Sequence, residues 1–90
     1  MHQIQAIVTG HVQDIGFRYF AMQKAKALGI TGNVKNLADG SVEVNAQGEK
    51  NKLEELIEAL KEGPSHATIK EVEVNWVVAG KKFEGFTVEY

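Results

Sequence analysis

Apolar residues occupy every second position near the start of the chain: Ile4, Ala6 and Val8 within residues 3–9. A period of two reads as a strand. Gly10 closes that run and opens the stretch GHVQDIGFR, residues 10–18, whose glycines punctuate a loop. The period then changes. Phe17, Phe20, Ala21, Ala25 and Leu28 fall on one stripe at helical spacing. Gly29 follows where a left-handed C-terminal cap is wanted. Residues 30–37 extend again, and Ala38-Asp39-Gly40 supplies the turn chemistry of a hairpin. Val42, Val44 and Ala46 then alternate with Glu43, Asn45 and Gln47, which predicts a sheet with one covered and one wet face.

Gly48 breaks this strand. Leu53, Leu56, Ile57 and Leu60 mark a second helical stripe, with Lys52, Glu54, Glu55, Glu58 and Lys61 as its solvated face. Gly63-Pro64 ends that helix. Residues 68–78 are rich in β-branched side chains, and Val72, Val74, Trp76 and Val78 share a face. Gly80, Lys81 and Lys82 interrupt, after which Phe86, Val88 and Tyr90 alternate. The two lysines are of the kind that blunts edge pairing. Phe17, Phe20 and Trp76 are expected in the core.

The predicted order is β-α-β-β-α-β-β. Right-handed crossovers place both helices on one side of the sheet. The expected fold class is therefore α+β: a ferredoxin-like sandwich, an antiparallel sheet with two helices on one face, βαββαβ plus a short C-terminal strand. Many functions share that fold, so it names none.

Composition narrows the field. The 90 residues fit a single domain, since a domain typically runs to roughly 100–150 residues. No run of about 18 apolar residues suggests a membrane span, and MHQIQAIV lacks the basic start of a signal peptide. The absence of cysteine excludes thiol catalysis and thiolate metal sites. A formal charge of −2 provides no basic field for nucleic acid. These features describe a small cytoplasmic protein, and nothing demands more than a monomer. His2, His11 and His66 fall on three separate elements without metal-ligand spacing, so no metal or other cofactor is expected.

The loop before the first helix carries the chemistry. Its glycines let backbone N–H groups converge beside a helix N-terminus, a concavity suited to a phosphate-sized anion. Arg18, on the first helical turn, can present two donors to such an anion. On these residues alone, a solvated arginine beside an ordinary glycine loop is the simpler reading, and Asn36 reads as a polar residue closing a strand.

GHVQDIGFR resembles the signature loop of the acylphosphatases, G-x-V-Q-G-V-x-F-R. GNVKNLADGSV, residues 32–42, resembles their second block, G-x-V-x-N-x-x-D-G-x-V, at the family's spacing. EGPSHATIKEVEV and FEGFTVEY resemble the later strands, so the likeness covers nearly the whole chain. It implies hydrolysis of small-molecule acyl phosphates to a carboxylate and inorganic phosphate, without metal. It also implies catalytic roles for Arg18, which binds phosphate, and Asn36, which positions water. The phosphate-binding loop becomes Gly10, His11, Val12, Gln13, Asp14, Ile15, Gly16 and Phe17. Within it, Gln13 either lines the pocket or braces the loop. His11 is either an exposed residue or a cation for phosphate at low pH. In some relatives the chain end reaches the arginine, which here pairs Arg18 with the carboxylate of Tyr90.

Two positions depart from the pattern. Asp14 stands where glycine is usual; aspartate tolerates the left-handed backbone region but brings negative charge to an anion site. Turned inward, it would pair with Arg18 and compete with substrate. Asn33 stands where an aromatic residue is common, a change expected to affect packing rather than chemistry. Three other functions compete. A phosphoryl-ligand binding or regulatory module with little turnover is the first, made credible by Asp14. The second is a module of a larger assembly handling carbamoyl phosphate, as related domains do. An RNA-binding module of similar topology is the third; its aromatic strand is echoed in GFTVEY, but at the wrong place in the chain.

Overall fold

The computed structural model describes residues 1–90. Its elements run β1 (His2–His11), α1 (Phe17–Ala27), β2 (Thr31–Asn36), β3 (Val42–Gly48), α2 (Lys50–Glu62), β4 (Thr68–Val77) and β5 (Phe86–Glu89). The strands form one sheet in the order β4-β1-β3-β2-β5. Both helices pack on one face, and the core lies between them and the sheet. Ile4, Ala6 and Val8 of β1 stand opposite Ala46, Val44 and Val42 of β3. Phe17, Ala21 and Ala25 of α1 and Leu53, Leu56 and Leu60 of α2 close over that surface. The two sequence periods thus meet at one apolar layer.

The sheet is mixed, which corrects the expectation of an antiparallel one. β5 pairs parallel to β2, from Gly32 opposite Phe86 to Lys35 opposite Glu89. The reason lies in the connection. β4 ends beside the start of β1, with Val77 opposite Gln3. Residues 78–85 then cross to the far edge, and β5 sets out in the direction of β1 and β2. This crossing also corrects the reading of Gln47. Instead of facing water, Gln47 is only 1% exposed. Its amide donates to the Lys81 carbonyl and to Oε1 of Gln3, and its Oε1 accepts from the Phe83 N–H.

Two further readings change. Gly10 does not end β1: the strand continues through His11, with a register shift between Thr9 and Gly10 against β4. Gly10 holds φ 129°, and a Cβ there would collide with the Thr68 carbonyl, so the close approach of the two strands requires glycine. Trp76 is 45% exposed rather than core. It sits on an edge strand at the register of Ile4, beyond the helical cover, with its ring edge-on to that of His2. Phe17 is buried as expected, and Phe20 is half-buried against it, with ring centroids 5.8 Å apart.

Candidate active site

β1, β2 and β5 all run toward the same end of the sheet, and α1 begins there. The turn from β1 to α1 occupies residues 12–16. Asp14 holds φ 63° and Gly16 φ 81°, so two left-handed residues bend the chain sharply into the helix. Asp14 thus takes the conformation usually given to glycine. No backbone N–H from residue 12 to residue 19 donates a hydrogen bond within the protein; the first amide to do so is that of Phe20, to the Gly16 carbonyl at 3.0 Å. Gly16 has no side chain to cap the helix, so the donors of the first turn stay free beside its positive end.

These residues open on a pocket of about 470 Å³. Of the predicted residues, Val12, Asp14, Gly16, Phe17, Arg18 and Asn36 line it. Arg18 is its sole cationic side chain and Asp14 its sole anionic one. No ion pair joins them. Arg18 instead donates from Nη1 to the Glu89 carbonyl at 2.7 Å, and its guanidinium lies 4.6 Å from the centre of the Tyr90 ring. Arg18 thus engages this carbonyl and this ring.

Asn36 ends β2, and its Oδ1 is buried without a hydrogen-bond partner, the one such side-chain atom in the molecule. Gln13 does not line the pocket. Its amide nitrogen donates to the carbonyls of Leu37 at 2.8 Å and Ser41 at 2.9 Å, tying the loop to the β2–β3 hairpin one residue beyond Asn36. Ile15 packs against the core. Gly10 and His11 lie back in β1, opposite Ile69 and Thr68. In the hairpin, Asp39 Oδ1 accepts from the hydroxyl and the amide of Ser41. Those two bonds hold its carboxyl below the ordinary 3.8, the hydroxyl bond having the larger effect. His2, His11 and His66 are not gathered, and no three His, Asp or Glu side chains converge.

Three pocket residues escaped the sequence reading, Tyr19, Met22 and Val88; Tyr90 entered it for its carboxylate and not for its ring. Tyr19 and Met22 stand three residues apart on α1, the spacing of residues that share a face, and Met22 also packs against the edge of the core.

The family model for acylphosphatase matches residues 4–88. The chain belongs to the acylphosphatase family. It is 46% identical over 86 residues to an acylphosphatase of Salinibacter ruber, covering 96% of this chain and 90% of that one. Its fold is similar to the crystal structure of the Bacillus subtilis acylphosphatase, with a TM-score of 0.96, 36% identity and full coverage of both chains. The structure of an acylphosphatase from Coxiella burnetii matches with a TM-score of 0.93 and 38% identity, covering 98% of this chain and 92% of that one. Membership gives the free amides, Arg18 and Asn36 of this acylphosphatase a chemical context.

Proposed function

We propose that this acylphosphatase holds the phosphoryl group of its substrate with Arg18 and the free amides of the loop at residues 10–18, and orients the attacking water with Asn36. The reaction itself is the hydrolysis of a small-molecule acyl phosphate. One observation carries the assignment of roles: an unbroken row of unpartnered N–H groups leads into the first turn of α1, and the pocket beside them contains one arginine.

The chemistry asks little more. An acyl phosphate is already activated, so catalysis consists of positioning it and stabilising charge on the phosphoryl oxygens. Arg18 offers charge-assisted bonds of about 1.5–3 kcal/mol each. The clamp by Glu89 and Tyr90 restricts the guanidinium before substrate arrives. Water attacks phosphorus, the bond from phosphorus to the acyl oxygen breaks, and carboxylate and inorganic phosphate leave. The amide of Asn36 has no useful basicity, so it orients the water, and a phosphate oxygen of the substrate takes the proton. The unpaired Oδ1 supports this role, because a buried acceptor left without a donor costs about 1–3 kcal/mol and marks a place where a donor is to arrive. The same reading makes residues 1–90 one domain, a cytoplasmic monomer that works without metal and has neither nucleic acid nor membrane as partner.

The test is hydrolysis of benzoyl phosphate in the presence of chelator, by the parent and by Arg18→Ala and Asn36→Ala. Activity that survives chelator and falls about a hundredfold to a thousandfold in each folded variant is expected. Full activity in either variant removes that residue from the mechanism. A rate that follows titration of a protein side chain, and not the substrate phosphate, counts against the phosphate oxygen as proton acceptor.

A further inference from the structure

The phosphoryl end of the substrate accounts for only part of the pocket. A volume of about 470 Å³ falls within the range of small-molecule sites, about 300–1,000 Å³, and leaves room for the acyl group. The wall not used by Arg18, Asn36 and the loop amides consists of Tyr19, Met22, Val88 and Tyr90. None of these four side chains is charged at neutral pH.

Resting on the phosphoryl-binding reading above, we propose that Tyr19, Met22, Val88 and Tyr90 form an acyl-side subsite for uncharged, apolar acyl groups, and that Asp14 turns away acyl groups bearing a second carboxylate.

Both rings are exposed yet held. Tyr19 is 58% exposed on the first turn of α1, a position at which a charged side chain would cost the fold nothing. Its hydroxyl accepts from the Gln23 amide at 3.1 Å, which restrains the ring along the helix surface. The Tyr90 ring is held beneath the Arg18 guanidinium. An apolar surface restrained before binding loses little conformational freedom when it is covered, so it favours an apolar ligand.

Charge supplies the second half. Arg18 is the sole cation of the pocket, and one of its nitrogens is already bound to the Glu89 carbonyl. Once the phosphoryl group engages the rest of the guanidinium, no cation remains for a second carboxylate. Asp14 lines the same pocket as an exposed residue, its backbone is held in the turn at φ 63°, and no ion pair neutralises its carboxylate. A dicarboxylic acyl phosphate therefore meets repulsion and gains no compensating contact.

The test compares kcat/KM for benzoyl, acetyl and succinyl phosphate in the parent, Tyr19→Ala and Asp14→Asn, each checked for folding by circular dichroism. Ratios between substrates cancel their intrinsic reactivities and any shared change in phosphoryl binding. Tyr19→Ala is expected to lower the benzoyl-to-acetyl ratio about tenfold, the scale on which apolar contacts discriminate. Asp14→Asn keeps a side chain that tolerates the left-handed turn, and is expected to raise the succinyl-to-acetyl ratio about threefold at low salt. That gain shrinks near 1 M salt, where the screening length falls to about 3 Å. A benzoyl-to-acetyl ratio unmoved by Tyr19→Ala overturns the subsite, and a succinyl ratio unmoved by Asp14→Asn overturns the exclusion. In both cases a parent that hydrolyses all three substrates leaves the phosphoryl-binding reading standing. A folded parent that hydrolyses none overturns that reading, and the subsite with it.

Discussion

The guanidinium of Arg18 stands over the ring of Tyr90, with its Nη1 bonded to the carbonyl of Glu89, seventy-one positions further along the chain. The contact orients the planar fork, and a lysine ammonium has no plane to orient. Arg18→Lys therefore keeps the charge and loses the geometry. Its kcat/KM for benzoyl phosphate is expected to fall about tenfold to a hundredfold, the equivalent of one charge-assisted bond. Parent-like kinetics in this variant would show that charge alone suffices.

Asn36 sets stability against activity. Its buried, unpartnered Oδ1 costs the fold what a lost hydrogen bond costs, about 1–3 kcal/mol. Asn36→Ala removes that cost and leaves a small void in its place. Its thermal midpoint is expected to equal or exceed that of the parent while turnover collapses. Thermal unfolding beside steady-state kinetics checks both halves, and a clear loss of midpoint would count against the account.

At position 14 backbone and charge can be separated. The turn holds φ 63°, which glycine adopts freely, aspartate tolerates and alanine resists by about 1 kcal/mol or more. Asp14→Gly is expected to keep the parent's stability and to bind inorganic phosphate several-fold more tightly. Asp14→Ala loses stability by that amount. Inhibition by phosphate and chemical denaturation measure the two effects, and an Asp14→Gly protein with unchanged or poorer phosphate affinity would remove the charge argument.

Gln13 joins the phosphate loop to the strand end that carries Asn36. Both carbonyls it reaches also accept backbone bonds, Leu37 O from Gly40 and Ser41 O from Leu37, so its loss leaves neither wholly unpaired. Gln13→Ala is expected to cost about 1–2 kcal/mol in denaturant unfolding. It is also expected to lower kcat more than it raises KM, because the variant disturbs the spacing between phosphoryl group and water. An effect on KM alone would place Gln13 in binding instead.

The hairpin gives a pH dependence. Asp39 is held below its ordinary 3.8 by Ser41, so its folded value lies under its unfolded one. The stability it contributes is fully present above the unfolded value and is lost as pH falls through the folded one. The difference in denaturation midpoint between the parent and Asp39→Ala should stay constant above about pH 5 and close on further acidification. A difference that persists unchanged into strong acid would disprove the linkage.

Much of this molecule is legible in its residue pattern. The periods of two and of 3.6 place the elements other than β2, which is legible from the turn residues on either side of it, and the loop before α1 stands out as the chemical centre. The exceptions share a cause. Gln47 reads as solvent-facing because its strand alternates, yet residues 78–85 cover it, and periodicity does not report which loop will cross which face. Trp76 reads as core because its strand is apolar on one side, but an edge strand outruns its helical cover. The parallel pairing of β5 follows from where the chain crosses, a long-range choice that no local pattern carries. Tyr19 was passed over because an exposed ring on a helix has no meaning until the neighbouring loop and strand enclose a pocket around it.

β5 has only four residues, and it pairs on one side alone, at the edge of the sheet. Short edge strands open locally at lower free energy than the sheet interior. The carbonyl that orients Arg18 belongs to this strand. Fraying of β5 and loss of a poised guanidinium are then a single event, and an anion that engages Arg18 draws the strand back into register. The affinity of the site thus includes a hidden term: the local folding free energy of four residues at the rim of the sheet.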